Sequence, residues 1–178
     1  TYNILAGGTR LEDLERLRND EAYLNTLGCQ RVPDPTTAGD FVRRFEVEDV
    51  KALMAGINET RVRVWKKGLS RREKKLALID SDGTIAPTTG ECKEGMDISY
   101  KGQWGYAPLL VSLANTQEAL FTVNRSGNRP SHDGAVEYMD AAIDLVRRGG
   151  FKRVRLRGDT DFSQTRHFDR WHEDGVEF

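Results

Sequence analysis

Apolar residues recur at helical spacing through the first third of the chain and at strand spacing after residue 75. Thr9-Arg10-Leu11-Glu12 has the Thr-x-x-Glu form of a capping box, and Leu11, Leu14 and Leu17 follow at the spacing of a buried helix stripe. A second short helix starts at Asp20 and stops at Gly28. Pro33-Asp34-Pro35-Thr36-Thr37 then breaks the chain, with Thr36 or Thr37 placed to cap a segment carrying Phe41, Val42 and Phe45. A longer helix puts Val50, Leu53, Met54 and Ile57 on one face. Residues 1–60 thus read as a small bundle of short helices.

From residue 76 the period changes. Strands are predicted over 76–82, 104–113 and 119–124, the last two joined by the turn Asn115-Thr116-Gln117 into a hairpin. Ser131 or Asp133 caps a helix bearing Ala135, Val136, Met139, Ala142, Ile143 and Val146, closed by Gly149-Gly150. A strand over 153–158, a helix over 164–174 and the start of a strand at Val176 complete the order β-β-β-α-β-α-β. Three antiparallel strands followed by strands alternating with helices give an α/β (α+β) fold with a mixed sheet.

Residues 61–75 join the two halves and are strongly basic: Arg61, Arg63, Lys66, Lys67, Arg71, Arg72, Lys74 and Lys75 against Glu73 alone. Such a run is either a solvated helix face and linker or a track for a phosphate backbone. The net charge of −1 hides this local excess. At 178 residues and 31% charged residues the composition is that of a soluble domain with one core. No apolar run approaches the roughly 20 residues of a membrane span. Cys29 and Cys92 lack CxxC spacing and read as two incidental thiols rather than a disulfide or zinc framework. The chain opens at Thr1 without methionine and closes on Gly175-Val176-Glu177-Phe178, a strand opening, which reads as a C-terminally truncated piece of a longer protein.

Two predicted strands end on acids beside glycine: Leu78-Ile79-Asp80-Ser81-Asp82-Gly83-Thr84 and Leu156-Arg157-Gly158-Asp159-Thr160-Asp161. Carboxylates delivered side by side to one sheet edge repel unless a cation lies between them. Hard divalent ions with oxygen ligands suit such a pair, and phosphoryl transfer is the chemistry they favour. In a ribonuclease-H-like sheet the first and fourth strands are neighbours, which would set Asp82 and Asp159 one strand spacing apart, about 5 Å.

Asp80-Ser81-Asp82-Gly83-Thr84-Ile85 also resembles the first motif of haloacid-dehalogenase-type phosphatases, in which the first aspartate is a nucleophile and the second an acid/base. That fold places a helix between consecutive strands, so a hairpin between Trp104 and Asn124 separates the two readings. Over nearly its whole length the chain instead resembles the DDE-type transposases of bacterial insertion sequences. The matching stretches are Ala6-Gly7-Gly8-Thr9-Arg10-Leu11-Glu12, Pro33-Asp34-Pro35-Thr36-Thr37, Asp82-Gly83-Thr84, Tyr100-Lys101-Gly102-Gln103-Trp104-Gly105-Tyr106, Gly127-Asn128-Arg129-Pro130-Ser131-His132 and Arg157-Gly158-Asp159-Thr160-Asp161-Phe162.

The resemblance implies a ribonuclease-H-like catalytic domain over 76–178, a helical DNA-binding region over 1–60 and a basic linker over 61–75. It carries the family's first and second catalytic acids onto Asp82 and Asp159, with Asp80 and Asp161 in reserve beside them. The third acid, a glutamate on a later helix, has no counterpart assigned, and the 178 residues alone are expected to be inactive. Two Mg2+ ions, with Mn2+ as a substitute, are the implied cofactors. Double-stranded DNA is the implied partner, as terminal inverted repeats and target, bound by a homodimer in the bacterial cytoplasm at the nucleoid. Arg61, Arg63, Lys66, Lys67, Arg71, Arg72, Lys101 and Arg129 are the candidate DNA contacts. A decayed copy that binds DNA without cutting it is the rival within the family.

Overall fold

The computed structural model describes residues 2–89 and 93–178, so Cys92 lies outside the described residues. Cys29 is a free, half-buried thiol. The chain divides into two compact units, Thr1–Leu53 and Met54–Phe178.

The first unit is helical. It holds α1 (Tyr2–Leu5), a 3-10 turn (Leu11–Asp13), α2 (Leu14–Arg18), α3 (Glu21–Leu27), α4 (Pro35–Val42) and the start of α5 (Val47–Gly68). The reciprocal cap before α2 falls one residue later than Thr9–Glu12 would place it. The tight 3-10 turn makes Arg10 the N-cap, and Asp13 Oδ2 accepts the backbone N–H groups of Thr9 and Arg10 at 2.7 and 2.9 Å. Asp20 caps α3 by accepting from Tyr23 N at 3.0 Å, and Gly28 ends it at φ 65°. Asp34, not Thr36 or Thr37, caps α4. Pro35 fixes the first helical position, which leaves Asp34 to accept from both the N–H and the hydroxyl of Thr37 at 2.9 Å.

The second unit is built on a five-stranded mixed sheet. After α5 come a 3-10 turn (Glu73–Lys75) and β1 (Ala77–Gly83), then the short β2 (Ala86–Pro87), β3 (Asp97–Ile98) and β4 (Trp104–Tyr106). The hairpin β5 (Leu109–Leu113) and β6 (Glu118–Val123) follows, then α6 (Ala135–Gly149), β7 (Val154–Arg157), α7 (Thr165–Glu173) and β8 (Val176–Glu177). The main sheet runs β6-β5-β1-β7-β8, with β1 antiparallel to β5 and parallel to β7. This is the ribonuclease-H-like order, and the β5–β6 hairpin removes the phosphatase alternative. The predicted strand over 104–113 is in fact two. Pro108 has no N–H for a ladder, and the chain there passes from the small sheet β2-β4-β3 into the main one.

Alternation along β1 buries Ala77, Ile79 and Ser81 on one face and leaves Leu78, Asp80 and Asp82 on the other. The buried face meets α6, whose Ala135, Met139, Ala142, Ile143 and Val146 lie on one stripe, joined by Val62 and Trp65 of α5 and Trp171 of α7. Gly149 is forced by packing: a Cβ there would stand 2.6 Å from the Trp65 ring. The stripe Val50, Leu53 and Ile57 predicted for α5 is exposed, while the buried one is Asn58, Val62 and Trp65.

β8 is held at the sheet edge by charge. Glu177 accepts from Arg155 Nε at 3.0 Å and Nη2 at 2.6 Å, and from Arg153 Nε at 2.8 Å and Nη2. The Arg155 and Arg153 hydrogen bonds hold the Glu177 carboxyl below its ordinary value. A carboxyl depressed in the fold stabilises it above the unfolded value and loses that contribution as pH falls through the folded one. Acidification below the usual glutamate range is therefore expected to loosen β8 first. Faster amide exchange at Glu177 and Phe178 than at β1 as pH drops would show it; equal protection of the two strands would refute it.

Candidate active site

The register pairs Asp80 with Arg157 at the last step of the β1–β7 ladder, and Asp82 and Asp159 each lie two residues beyond that step. Both acids are exposed and stand where the two parallel strands end. Asp82 accepts no hydrogen bond and makes no ion pair among the described residues. Asp159 is fixed by the turn that follows. It caps the 3-10 turn Thr160–Phe162, and its Oδ1 accepts from Asp161 N at 2.9 Å. Phe162 drops into the core. A Cβ on Gly158 would come 2.8 Å from Phe162 Cβ, so glycine lets this turn close against the end of β7.

The reserve acids have separate employments. Asp80 is forked by Arg157, Nε to Oδ1 at 2.6 Å and Nη2 to Oδ2 at 2.8 Å. These bonds hold the guanidinium above its ordinary value. Asp161 receives Ser131 Oγ at 3.4 Å, and Ser131 in turn packs beside Gly83.

A cavity of about 600 Å³ has Gly83 and Asp161 in its wall, while Asp82 and Asp159 are outside its lining. Its basic residues are Lys101, Arg125, Arg129 and His132. Lys101 Nζ lies 5.4 Å from the centre of the Tyr100 ring, and Tyr100 is 85% exposed. Arg129 is ion-paired with Asp133. Arg125 builds the wall. Its Nε donates to Ala107 O at 2.9 Å, and its Nη1 to Ser131 O at 3.0 Å and Asp133 O at 2.6 Å. Burial pushes its pKa down, and Nη2 is a buried donor without a partner among the described residues.

The other sequence candidates lie away from this cavity's lining. Arg61 turns onto Asn58 Oδ1 (2.5 Å) and Glu118 Oε1 (3.4 Å), with only 20% of its side chain exposed. Arg63, Lys66 and Lys67 are exposed on α5, and Arg71 and Arg72 on the turn after it. That turn is a capping box, Ser70 N–H to Glu73 Oε2 at 2.7 Å and Glu73 N–H to Ser70 Oγ at 3.3 Å. Lys74 donates to the last carbonyls of α5, those of Trp65 and Lys66, at 3.3 Å. The basic stretch is thus helix to Gly68 and capped turn beyond it. In the sequence Lys74 stands only as one of a basic run and Arg125 as a loop cation, because capture of backbone carbonyls leaves no spacing signal.

Two exposed carboxylates with hard oxygens past the ends of neighbouring parallel strands, one of them free of protein partners, fit a divalent cation in chemistry. Among the described residues no group of three or more His, Cys, Asp or Glu side chains converges to hold one. No helix among them is long and apolar enough to cross a membrane. Residues 1–178 match the family described as transposase DDE domain group 1. No curated protein and no solved structure matches the chain.

Proposed function

The chain belongs to the transposase DDE domain group 1 family, and from that premise we propose that it cleaves DNA at insertion-sequence ends and transfers the strand in a metal-dependent reaction. The observation that supports this most is that Asp82 and Asp159 each follow, two residues on, the last paired step of the adjacent parallel strands β1 and β7. In this reading the two carboxylates hold Mg2+, for which Mn2+ substitutes. Bound there, the metal supplies charge neutralisation at the phosphodiester and eases deprotonation of the attacking hydroxyl. Water, and later a DNA 3′-hydroxyl, forms the new O–P bond while the bond to the leaving 3′ oxygen breaks. The attacking proton leaves to solvent, and no covalent enzyme intermediate is needed.

The chain's own groups position the strand. Asp159 is oriented by the Asp161 N–H. Lys101 and Arg129 at the cavity offer charge to a phosphate, and the cavity volume suits a nucleotide-sized group. Arg63, Lys66, Lys67, Arg71 and Arg72 give a second, more distant phosphate contact, with Arg61 contributing mainly to the fold. Terminal inverted repeats and target duplex are the DNA partners, engaged by a homodimer in the cytoplasm.

Two carboxylates are assigned and the third acid of the family's triad is not, so metal occupancy rather than turnover is the direct test. Fe2+ with ascorbate and peroxide, added in place of Mg2+, generates hydroxyl radicals at the bound ion that cut the nearby backbone. Cuts next to Asp82 and Asp159, suppressed by excess Mg2+, are the expected result. Cuts elsewhere, or none, would overturn the site.

A further inference from the structure

Asp80 is the carboxylate that the acid pair leaves over. It lies on the same face of β1 as Asp82, two residues and so about 7 Å back along the strand, and directly across from Arg157. Arg157 occupies both of its oxygens in a planar fork at 2.6 and 2.8 Å. The next arginine on that face, Arg155, is already taken by Glu177. Asp80 and Arg157 are 36% and 50% exposed at the side chain, and their bidentate fork across the strands helps tie β1 to β7.

The position of the fork gives it a second role. Without Arg157, three carboxylates would share one strand-end face with no protein cation among them. A third carboxylate raises the charge of a ligand set, tightens it, and favours larger ions that accept more oxygens over Mg2+. We propose that Arg157 is a positioning residue that withholds Asp80 from the cation, keeping the site at two carboxylates and selective for Mg2+ over Ca2+. This rests on the reading that Asp82 and Asp159 hold the metal.

The test is Mn2+ binding to the 178-residue chain, followed by electron paramagnetic resonance, with Mg2+ and Ca2+ as competitors. Arg157→Ala is expected to tighten Mn2+ about tenfold, within the range by which outer partners tune metal sites, and to shift competition toward Ca2+. Asp80→Asn added to it should restore both wild-type values, whereas Asp80→Asn alone should change neither. Arg157→Lys keeps the charge but breaks the fork, so a smaller shift in the same direction is expected even if the alanine variant fails to fold. Unchanged or weaker Mn2+ binding in folded Arg157 variants, or failure of Asp80→Asn to reverse the effect, overturns the proposal. If Asp82→Asn and Asp159→Asn leave wild-type Mn2+ binding intact, the acid-pair reading falls instead, and the proposal with it.

Discussion

Exchange of Asp82 for asparagine is expected to lower metal-dependent strand cleavage by the transposase about a thousandfold, and Asp159→Asn to do the same. A metal at a phosphoryl oxygen contributes several kcal/mol to the barrier, and tenfold in rate corresponds to about 1.4 kcal/mol. Asparagine keeps the size of the side chain and one oxygen but removes the charge that binds the cation. Asp82 is exposed and without protein partners, so its loss should leave the fold untouched. Asp159 also caps a turn through Oδ1, a contact the asparagine oxygen can keep. DNA affinity should change little in either variant, because the proposed phosphate contacts lie elsewhere. Single-turnover cleavage of a labelled terminal-repeat duplex, with binding measured by mobility shift in Ca2+, separates the two quantities. Cleavage by Asp82→Asn within tenfold of wild type would remove Asp82 from the reaction.

Trp65→Ala is expected to be the most damaging change to the fold. The ring is 2% exposed, lies edge-on to Phe151 with centroids 5.8 Å apart, and fills the space that Gly149 leaves on α6. Its Nε1 donates to Glu118 Oε2 at 2.8 Å, which ties α5 to the β5–β6 hairpin. Truncating such an aromatic costs about 3–5 kcal/mol, a large share of the roughly 5–15 kcal/mol that holds a domain together. Trp65→Phe keeps most of the packing and drops one donor while Thr116 Oγ1 still donates to Glu118 Oε2, so about 1 kcal/mol is expected from the lost hydrogen bond. Urea unfolding followed by circular dichroism gives both values. An alanine variant within 1 kcal/mol of wild type would mean that α5 is not part of this core.

The sequence carried the main sheet because its elements are long enough to show a period. β1 alternates cleanly, α6 keeps its apolar stripe from Ala135 to Val146, and Gly150 at φ 98° ends that helix. The helix cap predicted at Ser131 or Asp133 fell instead to Gly134, with no side-chain bond, because Arg125 holds the carbonyls of that loop. The small sheet β2-β4-β3 went unread since strands of two or three residues show no alternation. Asp82 and Asp159 were legible as strand ends, and their offset followed from the order of strands. The Arg157 fork was not, because it depends on a cross-strand register between residues far apart in the chain.

β1 has paired neighbours along both sides, antiparallel on one and parallel on the other, and its alternate residues are sealed under α6. Its amides should be among the last to exchange with solvent deuterium, since they open only when the whole unit does. The exposed carboxylate of Asp82 is therefore mounted two residues beyond the doubly paired part of β1, on backbone still paired with β5. Thermal motion at that oxygen is confined to two side-chain torsions, so a cation arriving there meets a ligand whose place is settled before it binds.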